Sequence, residues 1–201
     1  MIFSSVFLFY TMIINAVKYE KNEILFVFAL ESEAGTFFND YNLVFTGIGK
    51  INATLKVIQA IQKYQPKLII NLGTAGSTTF VKYAIVNCTQ FIQRDMDVTG
   101  LGFELYQTPL TNQPVILDYG IKLPNLEQGI CGTGDNFETN LINKPFTVVD
   151  MEAYALALVA KQYEIDFLCL KFISDGADED AASSWTTNVS NAPEAFSKIL
   201  F

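Results

Sequence analysis

The sequence predicts an α/β fold in three layers, a central mixed and twisted sheet flanked by helices. Apolar blocks of strand length, such as "EILFVFAL" (23–30) and "DFLCLKFI" (166–173), recur without polar alternation, as strands covered on both faces do. Stretches of helical period lie between such blocks, as in "INATLKVIQAIQKY" (51–64). Glycine turns or acids follow the strands directly, a pattern suited to a crevice beyond their carboxyl ends.

In chain order, residues 23–30 read as a buried strand ending in acids, and "NLVFTGIGK" (42–50) as a strand and a glycine turn. The helix over 51–64 has apolar residues at Ile51, Leu55, Ile58 and Ile61, and Pro66 helps to stop it. "KLIINLGTAGS" (67–77) is a buried strand opening into a second glycine turn, and "AIVNCTQFI" (84–92) is another strand. "GICGTGDNF" (129–137) reads as strand, turn and helix, and "FTVVDMEAYALALVAKQY" (146–163) as strand then helix. "DFLCLKFISDGAD" (166–178) reads as strand then loop, and "APEAFSKILF" (192–201) closes with a short helix. With 201 residues and no repeat or linker, residues 23–201 read as one domain preceded by a tail over 1–22.

Half of the residues are hydrophobic and only 17% are charged, which excludes a disordered chain. The net charge of −8, with no basic cluster, argues against nucleic-acid binding through phosphates. There is no histidine, so histidine-dependent nucleophilic catalysis and histidine-ligated metals are excluded. General acid and base roles fall to Asp, Glu, Lys, Tyr or Cys. The three cysteines, Cys88, Cys131 and Cys169, form no CxxC pair and read as buried, reduced thiols.

Residues 1–17 carry no charge. They lack the basic start of a signal peptide and the length of a membrane span. The favoured expectation is an upstream start, with Met12 as the initiator, or an extra strand or tail packed on the domain. A cleaved signal, and hence export, is the alternative to a cytoplasmic protein.

Each candidate residue also has a structural reading. "TGIGK" and "LGTAG" are tight turns that match neither the dinucleotide fingerprint nor the P-loop. Glu31 and Glu33, two apart after a strand, either face a crevice together or belong to a solvated loop. Ser174 and Asp175 either cap a helix or supply a general acid, a role that needs a carboxyl partly withdrawn from water. Asp135 reads as a cap, and Phe137 as core or as a platform for a planar ligand. In "VVDMEAYALA" (148–157), Asp150 suits the first helical turn.

Taken in order, "ALESEAG", "TGIGKINA", "INLGTAGS", "DVTGLGFE", "TGDNF", "VVDMEAYALA" and "ISDGAD" resemble the nucleoside phosphorylase and nucleosidase superfamily. Within it, they look most like the 5′-methylthioadenosine/S-adenosylhomocysteine nucleosidases. The resemblance runs from residue 24 to the C-terminus and implies hydrolysis of an adenosine thioether to adenine and a thioribose product, with no metal or cofactor. It implies Glu33 as the base that activates water and Asp175 as the acid that protonates purine N7. Met151 and Glu152 would hold the ribose, Phe137 would stack on the purine, and the backbone of Glu138 would read the exocyclic amine. Thr74, Ala75 and Gly76 would line the ribose and water side, with Ile48 and Ser174 also touching substrate.

The resemblance further implies a homodimer, with Leu101, Phe103 and Pro109 as contacts to the partner subunit. Acids in place of arginine in "LESEAG" favour water over phosphate as nucleophile. The alternatives are a phosphorylase, a nucleosidase for another modified nucleoside, or a non-catalytic nucleoside-binding protein. The chain also departs from the family pattern. Lys171 stands where arginine is common, Trp185 where a residue that is often phenylalanine closes the 5′ side of the substrate pocket, and Tyr154 where a small residue is common; the tryptophan is expected to narrow that pocket. The only arginine, Arg94, lies outside the quoted motifs. The stretch from Pro109 to Gly129 is short and is expected to lack a helix.

Overall fold

The computed structural model describes residues 11–139, 141, 143–178 and 180–201. Expectations that fall on residues 1–10 lie outside the described residues.

The chain opens with a hairpin, β1 (Thr11–Ile14) and β2 (Val17–Glu20). Its two turn residues, Asn15 and Ala16, both take positive φ (47° and 67°), as a tight hairpin matched to strand twist demands. Ile14 and Tyr19 bury against the main body, and the Tyr19 hydroxyl donates to Asp166 Oδ2 at 2.6 Å.

Then follow β3 (Ile24–Phe28), β4 (Asn42–Phe45), α1 (Lys50–Tyr64), β5 (Leu68–Gly76), β6 (Ile85–Gln93) and the two-residue β7 (Leu117–Asp118). The chain continues with β8 (Gln128–Thr133), β9 (Val148–Asp150), α2 (Ala153–Gln162), β10 (Asp166–Asp175), α3 (Ala181–Asn188) and α4 (Ala192–Leu200).

The period of two in each strand assigns its side chains to opposite layers. Leu25, Val27 and Ile69 pack toward α1 and α2. Ile24, Phe26, Phe28, Leu68, Ile70 and Leu72 pack toward α4 and the hairpin. Both faces of β3 are thus buried, which is why its sequence shows no alternation. Each fully buried Leu, Ile or Phe contributes on the order of 2 kcal/mol.

The sheet is mixed. β4, β3, β5 and β10 pair in parallel, β10 pairs antiparallel to β6, and β6, β8 and β9 again run parallel. A single antiparallel bridge, Gly76 to Val149, joins β9 back to β5. Five strands therefore close into a ring, and β3 with β4 extends from it as a wing. The closure needs glycine at position 76. A Cβ there would stand 2.6 Å from Asp175 Oδ1 and 3.3 Å from Val149 Cγ2.

α1 forms as its period predicts and buries Ala53, Val57, Ala60 and Ile61 against the core, while Ile51 and Leu55 are exposed. Among the described residues no helix follows Gly134, and residues 134–139 run as an irregular loop. The sequence reading missed α3, because "AASSWTTN" carries little apolar periodicity. Residues 109–127 hold β7 and irregular backbone but no helix, as expected.

Candidate active site

The carboxyl ends of β5, β9 and β10, with the turn after β3, surround a cavity of about 240 Å³. Glu33, Ile48, Thr74, Ala75, Gly76, Phe137, Glu138, Met151, Glu152, Ser174, Asp175 and Trp185 all line it. Leu101, Phe103 and Pro109 do not, and Leu101 is exposed on the surface.

Glu33 sits in a 3-10 turn, Glu31–Glu33, rather than in a strand. The helical turn separates the two acids that the sequence suggested would face together: Glu33 is buried and Glu31 is exposed. Glu33 Oε1 accepts from the Thr74 N–H and hydroxyl, both at 2.7 Å, and Oε2 accepts from the Leu30 N–H at 3.1 Å. Thr74 Oγ1 in turn accepts from Trp185 Nε1 at 2.9 Å.

Asp175, at the end of β10, is also buried. Its Oδ2 accepts from the Ser174 hydroxyl at 2.8 Å and its Oδ1 from the Ala177 N–H at 2.9 Å. Ser174 O accepts from Asn188 of α3 at 2.8 Å, which ties that helix to β10.

A buried ion pair lies beneath this layer. Lys171 Nζ meets Asp150 Oδ2 at 2.9 Å, with both side chains almost fully withdrawn from solvent. Asp150 Oδ1 accepts from the Thr133 hydroxyl at 2.5 Å, and Oδ2 from the Ala153 N–H at 2.8 Å. Asp150 therefore does start α2, as its position suggests, and it also anchors Lys171. Burial opposes charge on Asp150, but Lys171 and the hydrogen bonds outweigh it and hold the carboxyl below the usual range. Burial likewise opposes the Lys171 ammonium, and the charge of Asp150 overcomes it and holds the lysine well above its ordinary value.

Glu152 stands next to this pair and receives the opposite treatment. Its Oε1 accepts from the Gly49 N–H at 2.8 Å. Burial first, then the charge of Asp150, push it up to about 8 against the pull of Lys171 and Gly49. Gly49 itself takes φ 93°, so glycine is needed for the turn that delivers this N–H. The turn is held by Asp135, whose Oδ1 accepts from the Lys50 N–H at 2.8 Å, and by the Lys50–Asp95 ion pair. Asp135 is thus a cap, but for the distant α1.

Phe137 is half exposed rather than part of the core, so its ring is free to face a ligand. Its loop is gathered by Arg94, a lining residue that the motif reading left outside the site. Arg94 donates to Asn136 Oδ1 at 2.8 Å and to the Asn136 carbonyl, and pairs with Glu138 at 3.5 Å. Gly134 makes room for it: a Cβ there would lie 2.8 Å from Arg94 Cζ. The available sequence signal was Arg94 itself, a lone arginine just after a buried strand. Tyr154 is buried in the core, and its N–H donates to Thr133 Oγ1.

Comparisons with known proteins identify the family. Residues 33–200 match the model of the Phosphorylase superfamily. A 5′-methylthioadenosine/S-adenosylhomocysteine nucleosidase of Shewanella piezotolerans is 32% identical over 160 residues, covering 68% of this chain and 69% of the relative. One from Buchnera aphidicola subsp. Schizaphis graminum is 30% identical over 209 residues, covering 94% and 87%. The crystal structure of the Helicobacter pylori nucleosidase of the same name has a TM-score of 0.78 at 19% identity, covering 88% of this chain and 95% of that one, a likeness of fold. The fold and the ring of buried carboxyls define a class, the α/β enzymes that act on nucleosides. The chain belongs to the Phosphorylase superfamily and, within it, to the 5′-methylthioadenosine/S-adenosylhomocysteine nucleosidase family.

Two predictions follow from the charge layer. Lys171→Met strands a buried Asp150 charge and should cost about 3–5 kcal/mol in urea unfolding. Adding Asp150→Asn should recover part of that loss. For Glu152, the folded state binds the proton more tightly than the unfolded chain, whose value is near 4.5. Its stabilising contribution is complete below that value and is lost as pH rises through about 8. Thermal unfolding should therefore find Glu152→Gln more stable than wild type at about pH 9, with the gap closing by about pH 5.

Proposed function

We propose that this chain hydrolyses the N-glycosidic bond of 5′-methylthioadenosine and/or S-adenosylhomocysteine, releasing adenine and a thioribose product. One observation carries the reading. Three buried carboxyls, Glu33, Asp175 and Glu152, converge on one cavity beside a free aromatic ring, Phe137.

The chemistry needs a base for water, an acid for the leaving purine and a group that holds the sugar. Glu33 is oriented by three hydrogen bonds and takes the proton of the attacking water. Asp175, which lines the same cavity, protonates N7, so that adenine leaves neutral. Glu152 and Met151 hold the ribose. At neutral pH an unliganded Glu152 is largely protonated and both donates and accepts. Ribose hydroxyls donating to it favour the carboxylate, whose charge then stabilises the developing cationic sugar. Phe137 stacks on the purine, and the backbone at Glu138 reads its amine.

Water suits the site better than phosphate. Lys171 is committed to Asp150, and Arg94 to Asn136 and Glu138 on the purine side. Both cations are thus already paired with acids, which favours water over an anion beside Glu33. The exposed apolar residues Ile51, Leu55, Leu101 and Leu110 support a homodimer, with Leu101, Phe103 and Pro109 near the partner subunit. Among the described residues no helix is long and apolar enough to cross a membrane. A cytoplasmic location is part of this reading.

Adenine release from methylthioadenosine, assayed with and without phosphate, tests the function. Release in both conditions is expected. Sugar phosphate formed only with phosphate would instead mark a phosphorylase, and no release from either thioether would refute the proposal. Asp175→Asn should lower kcat by about 100- to 10,000-fold while the protein stays folded.

A further inference from the structure

We propose that Trp185 is a positioning residue for the hydrolytic base, acting through the Thr74 hydroxyl. The proposal rests on the nucleosidase reading and adds to it a component that the ring of carboxyls does not contain.

The geometry is a short chain of hydrogen bonds. Trp185 Nε1 lies 2.9 Å from Thr74 Oγ1, which lies 2.7 Å from Glu33 Oε1. An indole N–H can only donate, and an ionised carboxylate can only accept. A threonine hydroxyl has a single hydrogen. With the indole donating into Thr74 Oγ1, that hydrogen is committed to Glu33. The direction of the chain is therefore fixed from Trp185 to Thr74 to Glu33. Glu33 Oε1 then receives two donors from one residue, since the Thr74 N–H also reaches it at 2.7 Å. This pins the carboxylate on the β5 side.

The donor is itself anchored. Asn188, on the same helix as Trp185, donates to Ser174 O and accepts from the Tyr83 hydroxyl at 3.1 Å. α3 is thereby attached beside the acid, Asp175, and hydrogen-bonded toward the base, Glu33. A phenylalanine at position 185 would cover the cavity equally well but has no hydrogen to donate. The Thr74 hydroxyl would then be free to accept from solvent.

A double-mutant cycle with methylthioadenosine tests this. Trp185→Phe keeps the aromatic wall and removes the donor. Its kcat should fall about tenfold, the equivalent of about 1.4 kcal/mol, with KM within about twofold of wild type. In a Thr74→Val background, Trp185→Phe should change kcat no further. The chain has one tryptophan, so its emission reports the bond without any turnover. Thr74→Val should shift the ligand-free emission maximum to shorter wavelength.

An unchanged kcat in Trp185→Phe would overturn the proposal. So would a loss confined to KM, effects that multiply independently in the double variant, or emission indifferent to Thr74→Val. An inactive wild type in the same assay would overturn the nucleosidase reading, and the role of Trp185 with it. An active wild type beside an unaffected Trp185→Phe would overturn the present proposal alone.

Discussion

The ion pair between Lys171 and Asp150 organises the site. It joins β10 to β9 in the interior of the closed ring of strands, and Asp150 carries the connection on to β8 through Thr133 and to α2 through the Ala153 N–H. A charge in such a place is tolerated only when it is paired and its remaining lone pairs are used. Asp150 meets both conditions. The pair is weak evidence for extra stability, since apolar residues of similar shape can serve as well. Its consequence is electrostatic. A fixed negative charge lies beside Glu152 and adds to the burial that raises that carboxyl.

Glu152 shows the effect. It is two residues from Asp150 and similarly buried, yet the two are driven in opposite directions. Lys171 neutralises the nearer acid, and the further one is left with desolvation and a like charge. Pairs of acids pushed apart in this way are a common route to distinct acid and base roles on one scaffold. Around this layer the turns act as supports. Gly49 delivers its N–H to Glu152, Asp135 and Asp95 hold that turn through Lys50, and Arg94 gathers the loop of Phe137.

Much of this was legible in the sequence, and for physical reasons. The layers follow from unbroken apolar strands alternating with helices. Glu33, Asp175 and Glu152 stood out because acids directly after buried strands need an explanation. The misses have causes too. Arg94 lies outside the motifs because its job is to hold a loop at a distance in sequence, a contact that spacing does not reveal. α3 was invisible because "AASSWTTN" is mostly polar and carries little apolar periodicity. Glu31 and Glu33 were paired by strand spacing, whereas the chain turns helically there. The helical period of 51–64 identified α1, but two apolar stripes exist there and only packing decides which residues are buried.

The most direct test is a titration of the glutamate side chains by carboxyl-carbon NMR on ligand-free protein. Disappearance of one resonance in Glu152→Gln assigns that residue. The Glu152 carboxyl is expected to titrate near 8. A Glu152 resonance that titrates near the ordinary value of about 4.3 would contradict it, because burial beside the charge of Asp150 would then not hold the proton on Glu152.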